Sequence, residues 1–391
     1  MKRWIKGGMV YQDHRFAERE ILIEDGQIQW IGSATDLDLD GAEVLDASGQ
    51  WILPGFFDIH THGAVNVDVN GATAEDLEKI CCFFASCGTT SWLCSVLTDT
   101  KEQTLWCIEQ YNRWKQMEHR GAILEGIHLE GPFLSAEYKG AMPEHLLLKA
   151  DLSLLQEYQR AAKGGIRYIT VSPEVEGIPE MIPEIRKLGI SVAIGHSGAD
   201  YQTALKAIEN GAVAATHTGN AMKLLHQHFP AIFGAVLEKD SVYAEMICDG
   251  RHLHPGVVRL IIKTKGLDRV VAVTDSIMAA GLPDGKYRLG VNDVVVKDKD
   301  ATLASNGVRA GSTLTMEQAL QNLLEFSGKK LEEIALLFTE NPARVIGLED
   351  RIGKIAEKRQ ANLVFLNQQG MVVRTLVNGK TVFDGEKSSP F

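Results

Sequence analysis
The chain has 391 residues, 45% of them hydrophobic, which is enough to bury a large core, and its formal net charge is −11 with acidic and basic residues interspersed. That balance, with no basic stripe, excludes general nucleic-acid binding, and no apolar run approaches membrane-spanning length. Six cysteines (Cys81, Cys82, Cys87, Cys94, Cys107, Cys248) form no C-x-x-C pair, and the first eight residues lack the apolar run of a signal peptide; both point to reduced thiols in a soluble, cytoplasmic protein.

Residues 1–53 read as short alternating segments broken by Gly and Asp, with Asp25-Gly26 between Ile21-Leu22-Ile23 and Ile28-Gln29-Trp30-Ile31-Gly32 as a hairpin signal. Then comes Leu53-Pro54-Gly55-Phe56-Phe57-Asp58-Ile59-His60-Thr61-His62-Gly63, a turn followed by a buried strand that ends in two histidines. Alternate strand residues face one side, so His60 and His62 project together. A helix over Ala74–Cys87, a strand over Thr89–Leu97 and a helix over Lys101–Glu118 follow. Further strands are expected at 122–130, 166–171, 191–194, 212–216, 243–248 and 270–274, making eight with the opening one, and helical spacing separates most of them. Eight strand–helix alternations predict an α/β fold, a closed parallel (β/α)8 barrel over residues 54–353 with its site at the carboxyl ends of the strands. An open doubly wound sheet is disfavoured because no G-x-G-x-x-G follows a strand. A polar, Val-rich stretch between Pro283 and Asn306 reads as an inserted hairpin. The last segment, 354–391, returns to strand patterns, and both termini are expected to meet in one small β-sandwich.

The ends of the predicted barrel strands carry His60, His62, Glu130, His196, His217 and Asp275. Any one of these commonly caps a loop. Six of them from five strands of one barrel converge on one mouth, and imidazoles with carboxylates and no thiolate suit a catalytic zinc or another first-row divalent ion.

The motifs 54–63 above, His128-Leu129-Glu130-Gly131-Pro132-Phe133, Gly195-His196-Ser197, Thr216-His217, Asn220-Ala221-Met222, Asp249-Gly250-Arg251-His252 and Val273-Thr274-Asp275 resemble the N-acetylglucosamine-6-phosphate deacetylase family of the amidohydrolase superfamily over nearly the whole chain. The resemblance implies a metal-dependent hydrolase that removes the acetyl group from N-acetyl-D-glucosamine 6-phosphate, in amino-sugar catabolism and cell-wall sugar recycling. It implies that Glu130, His196 and His217 hold a principal metal ion, and that His60, His62 and Asp275 are able to hold a second. One or two divalent ions per subunit follow, zinc in the first place, with iron, manganese or cobalt compatible. Asp275 would be the catalytic acid/base. Substrate would meet Ala141, Asn220, Ala221, His252 and the Arg309-Ala310-Gly311 segment. A homodimer is expected, with a small-molecule amino-sugar phosphate as substrate and neither nucleic acid nor membrane as partner. The fourth strand, Ile166–Val171, carries no lysine that could be modified to bridge two metals, which leaves that role to Glu130 and argues against a hydantoinase or dihydroorotase.

Three positions depart from the family pattern. His228 stands where an arginine, often the partner subunit's, pairs with phosphate, and a neutral imidazole does not replace a permanently charged fork. Met142 stands where a polar side chain is common, and Arg309 where leucine is usual. Lys223, His226, His228, Arg251 and Arg309 are candidates for a rearranged anion site; single charges such as Lys223 and Arg251 are more often solvated surface residues. Alternatives to the leading substrate are a galacto isomer or an unphosphorylated N-acyl amino sugar. Purine deamination would leave Glu130 without a purpose, and a non-catalytic sugar-phosphate-binding protein would not need all six metal and catalytic positions.

Overall fold
The computed structural model describes residues 1–33 and 39–386. Residues 34–38 and 387–391, which the expected terminal segments 1–53 and 354–391 include, lie outside the described residues.

The eight expected strands form one parallel sheet in chain order: Phe56–Thr61, Thr89–Leu97, Ile123–Glu130, Ile166–Val171, Ser191–Ile194, Ala214–Ala215, Tyr243–Ile247 and Val270–Val273. The last returns to the first, where Asp275 N donates to His60 O at 2.8 Å and Thr61 pairs with Ser276, closing the cylinder. Helices cover its outside and side chains fill its inside, so Thr89–Leu97, Ser191–Ile194 and Val270–Val273 are buried along their whole length. This two-sided burial is why they read as continuous apolar runs rather than alternating ones. Several of the helices between strands begin at side-chain caps; Thr73 and Asp76, for example, form a reciprocal capping box before Ala74–Ser86.

One helix is shorter than its pattern: Lys101–Trp114 stops four residues before Glu118. There the Trp114 indole donates to Glu78 at 2.8 Å and stacks on His119 with centroids 3.9 Å apart, which turns the chain back.

Both termini build a second, eight-stranded sheet from Lys2–Gln12, Arg15–Glu24, Gln27–Gly32, Glu43–Asp46, Trp51–Pro54, Leu363–Leu366, Val372–Val377 and Lys380–Asp384. The sheet curls round its own core of Ile5, Ile21, Ile28, Ile52, Leu363, Phe365 and Leu376, and Ile28 N reaches Arg359 O at 2.9 Å across the fold. Only Gly55 separates Trp51–Pro54 of this sheet from the first barrel strand. A Cβ at Gly55 would lie 2.1 Å from the Thr90 side chain, so glycine is required where the two sheets meet.

The expected hairpin after Pro283 is a three-stranded antiparallel meander, Gly285–Leu289, Asn292–Lys297 and Asp300–Leu303. The extra turn uses Asp298 (φ 53°) and Lys299 (φ 63°), a mirror-image two-residue turn without the glycine that usually signals it. Its apolar face (Leu289, Val294, Val296, Leu303) packs with Leu97, Leu134, Met142 and Ile277 over the barrel mouth.

Candidate metal centre and its cavity
His60 and His62 leave the first strand on the same side, and their Nε2 atoms lie 3.2 Å apart. Glu130, the last residue of the third strand, reaches between them and two loop histidines. Its Oε1 is 3.0 Å from His196 Nε2, 3.3 Å from His217 Nε2 and 3.4 Å from His60 Nε2, while its Oε2 is 3.3 Å from His62 Nε2. Asp275 Oδ1 lies 3.2 Å from His62 Nε2 and 3.6 Å from His60 Nε2. Among the described residues, His60–His62–Asp275 and Glu130–His196–His217 are each able to offer three ligand atoms within 4.8 Å of one another, and all six are buried. The structure thus brings together all six residues expected to bear metal or protons.

Three of them sit in left-handed backbone just past their strands: His196 (φ 47°), His217 (φ 28°) and Asp275 (φ 48°). Non-glycine residues pay for that conformation, and such strain concentrates at functional sites. Neighbouring hydrogen bonds hold it: Ser172 Oγ donates to His196 O at 2.6 Å, His217 N donates to Glu245 Oε2 at 3.2 Å, and Ser312 N donates to Asp275 O at 2.7 Å.

The ring tautomers follow from acceptors that have no proton to give. His196 Nδ1 donates to Tyr138 O (2.9 Å), His62 Nδ1 to Ser95 O (3.0 Å) and His60 Nδ1 to the Glu245 carboxylate (3.2 Å). Each ring therefore turns an Nε2 lone pair toward the two carboxylates. The electrostatics ask for positive charge in the same place. Burial alone would raise Glu130, yet His60 and His196 hold its carboxyl well below the usual range; Asp275 is likewise lowered against burial by His60 and His62. Burial opposes charge on His62, but its hydrogen bonds to Asp275 and Glu130 push it up to about 9, and Glu130 and Asp275 draw His60 well above its ordinary value. The Nε2 atoms aim at two ionised carboxylates where positive charge is favoured, and a divalent cation there would supply that charge while leaving the ring lone pairs to bind it.

A cavity of about 400 Å³ opens beside the cluster. Ala141, Asn220, Ala221, His252, Arg309, Ala310 and Gly311, all expected near substrate, line it. His252 Nδ1 donates to Asp249 Oδ2 at 2.7 Å, which fixes the ring and leaves Nε2 as its other polar atom. Met142 lines the cavity as well. His228 does not line it; with His226 it lies on an exposed turn beside exposed Leu224, Leu225 and Phe229. Lys223 is exposed on the same loop, and Arg251 is tied to the carbonyls of Asp249 and Asp298, so neither joins an anion site in this chain's cavity. Arg309 stands at the rim, its fork clasped by both oxygens of Asp300 at 2.9 and 3.1 Å.

Two functional candidates escaped the sequence reading. Lys139 lines the cavity, and its Nζ donates to Met142 O at 3.2 Å. Its signal was the adjoining Gly140 (φ 57°), whose Cβ would come within 3.1 Å of His196 Cε1; the glycine lets this loop lie over the ligand ring. Glu245 is wholly buried in the seventh strand beneath the cluster, and its signal was an acidic residue inside the apolar run Tyr243–Ile247.

The sequence profile of the Amidohydrolase family matches residues 51–382. The N-acetylglucosamine-6-phosphate deacetylase of Bacillus subtilis (strain 168) is 32% identical over 364 residues, 92% of each chain. The N-acetylgalactosamine-6-phosphate deacetylase of Escherichia coli O157:H7 is 28% identical over 376 residues, 94% of this chain and 98% of that one. The crystal structure of N-acetylglucosamine-6-phosphate deacetylase from Thermotoga maritima superposes with a TM-score of 0.88 at 32% identity, covering 97% of this chain and 99% of that one.

Proposed function
Because the chain belongs to the amidohydrolase family, in its N-acetylglucosamine-6-phosphate deacetylase branch, we propose that it hydrolyses N-acetyl-D-glucosamine 6-phosphate to glucosamine 6-phosphate and acetate in amino-sugar metabolism. The observation that carries this reading is the meeting of Glu130, His196, His217, His60, His62 and Asp275 at one wall of a cavity that His252 and Asn220 also line.

The family is metal-dependent. Glu130, His196 and His217 would hold the principal ion, and His60, His62 and Asp275 a second; nitrogen and carboxylate donors without thiolate favour zinc, and iron, manganese and cobalt suit the same set. Held by these residues, a divalent ion would supply a bound water of lowered pKa and Lewis acidity toward the acetamide carbonyl. Asp275, kept ionised by its histidine neighbours, accepts the proton of the attacking water. It then returns that proton to the sugar nitrogen as the C–N bond breaks, without which an amine anion would have to leave. His252, oriented by Asp249, holds a sugar hydroxyl, and Asn220, Ala221 and the Arg309–Gly311 loop hold the remainder of the sugar phosphate. His228 would act on phosphate only in a neighbouring subunit's cavity, since it lies outside its own.

The same reading divides the chain into residues 1–53 and 354–391 as one β unit and residues 54–353 as the catalytic barrel, in a cytoplasmic homodimer. Among the described residues no helix is long and apolar enough to cross a membrane. The galacto isomer is the second reading, favoured by the 28% identity to the Escherichia coli enzyme that carries that name. Acetate release measured over a panel of N-acetylated hexosamines, with and without 6-phosphate, tests both. Turnover confined to sugars lacking phosphate would overturn the substrate, and no acetate from any of them would overturn the reaction.

A further inference from the structure
Beneath the six ligand residues lies a second polar layer that the chemistry above does not use. Its centre is Glu245, with no solvent exposure, on the seventh barrel strand. One oxygen, Oε1, accepts the Tyr168 hydroxyl at 2.6 Å. The other, Oε2, accepts from two places at once: the His60 ring at Nδ1 and the His217 backbone N–H, both at 3.2 Å. Tyr168 is itself fully buried on the fourth strand, and burial beside Glu245 raises its phenol well above the ordinary value, so it stays a donor.

We propose that Glu245, held in place by Tyr168, is a positioning residue that sets the tautomer of His60 and thereby decides whether the His60–His62–Asp275 group takes up its own metal ion. The inference rests on the metal-dependent reading above and deepens it. His60 has only two ring nitrogens. With Nδ1–H committed to a carboxylate, Nε2 carries the lone pair and faces Glu130 and Asp275. A carboxylate acceptor also makes the ring a stronger donor to a metal than a neutral acceptor would. Among the described residues, His60 Nδ1 has Glu245 as its acceptor, whereas His62 and His196 lean on backbone carbonyls that no side-chain change removes. Dependence on Glu245 is therefore selective: of the cluster rings His60, His62 and His196, His60 alone has its Nδ1 anchored by a side chain. The Glu245 bond to His217 reaches that residue's backbone and not its ring, so the Glu130–His196–His217 group keeps its three donor atoms without it.

The test is a titration of metal-free protein with Co²⁺, followed by calorimetry and by visible absorption. Wild type and the variants Glu245→Gln and Tyr168→Phe are compared, with circular dichroism as a check of folding. Glu245→Gln keeps the volume and an acceptor oxygen but loses the charge. Wild type is expected to take two ions per chain. In Glu245→Gln the first ion is expected to bind within about threefold of wild type, and the second roughly 10- to 100-fold more weakly, the range seen for outer partners of metal-bound histidines. Tyr168→Phe should weaken the second ion in the same direction by a smaller factor. Two ions of wild-type affinity in Glu245→Gln would overturn the proposal, and so would equal weakening of both ions. One ion per chain in wild type with full acetate release would also overturn it, while leaving the proposed reaction standing.

Discussion

His196 and His217 meet Nε2 to Nε2 at 3.0 Å, with Glu130 Oε1 within 3.3 Å of both. Two ring nitrogens and a carboxylate oxygen brought so close in a buried pocket repel or share a proton unless a cation lies between them. Removing divalent ions with a chelator should abolish acetate release, and adding Zn²⁺ or Co²⁺ should restore it. The melting temperature should fall on chelation, because an ion bound by the folded chain alone stabilises it by mass action. Full activity in protein shown by elemental analysis to hold no metal would contradict the assignment.

Asp275 touches the same cluster through one oxygen, 3.2 Å from His62 Nε2. Replacing it with asparagine removes the proton acceptor while keeping an oxygen and the volume. We expect Asp275→Asn to lower kcat by about 10²–10⁴ and to leave KM within a few-fold, the usual scale for losing a general base. Steady-state kinetics on metal-loaded protein decide it; a kcat within tenfold of wild type would reassign the proton transfer.

Arg309 lines the cavity rim but is shared with Asp300. Arg309→Leu should raise KM for a 6-phosphorylated substrate several-fold and lower kcat far less, because a binding charge remote from the reacting bond acts alike on ground and transition states. Unphosphorylated sugars serve as the control and should show no change. If KM for the phosphorylated sugar is unaltered, Arg309 has no part in holding the phosphate.

Five of the six thiols are buried, and burial pushes Cys87, Cys107 and Cys248 up to about 12. At pH 8 a thiol of that pKa is thiolate in roughly one molecule in 10⁴, against about one in four for an ordinary cysteine. The native protein should therefore react slowly with a disulfide reagent, with partly exposed Cys82 first, and the denatured chain should release six equivalents. Rapid labelling of Cys107 or Cys248 in the folded protein would show that these thiols reach solvent.

The barrel was legible strand by strand, since two-sided burial writes itself as apolar runs such as Ser191–Ile194 and Val270–Val273. Misreadings fell where local pattern carries no trace of the cause. The sixth strand is only Ala214–Ala215, because its continuation bends into the strained His217 that the cluster requires. The turn at Asp298-Lys299 has no glycine to announce it, and Lys101–Trp114 ends early because Trp114 binds Glu78, 36 residues away.

The sequence by itself determined the closed barrel, the terminal sheet and the six His, Glu and Asp residues that meet at the barrel mouth, because strand periodicity and donor chemistry are local properties. Only the tertiary structure decided which oxygen of Glu130 faces which histidine, that Arg309 is clasped by Asp300, that His228 lies outside its own cavity and that Glu245 underlies His60. Apart from the Arg309–Asp300 pair, which the meander brings together over nine positions, these relations join residues as many as 185 positions apart, set by how strands register around a cylinder, so no short stretch of chain contains both partners.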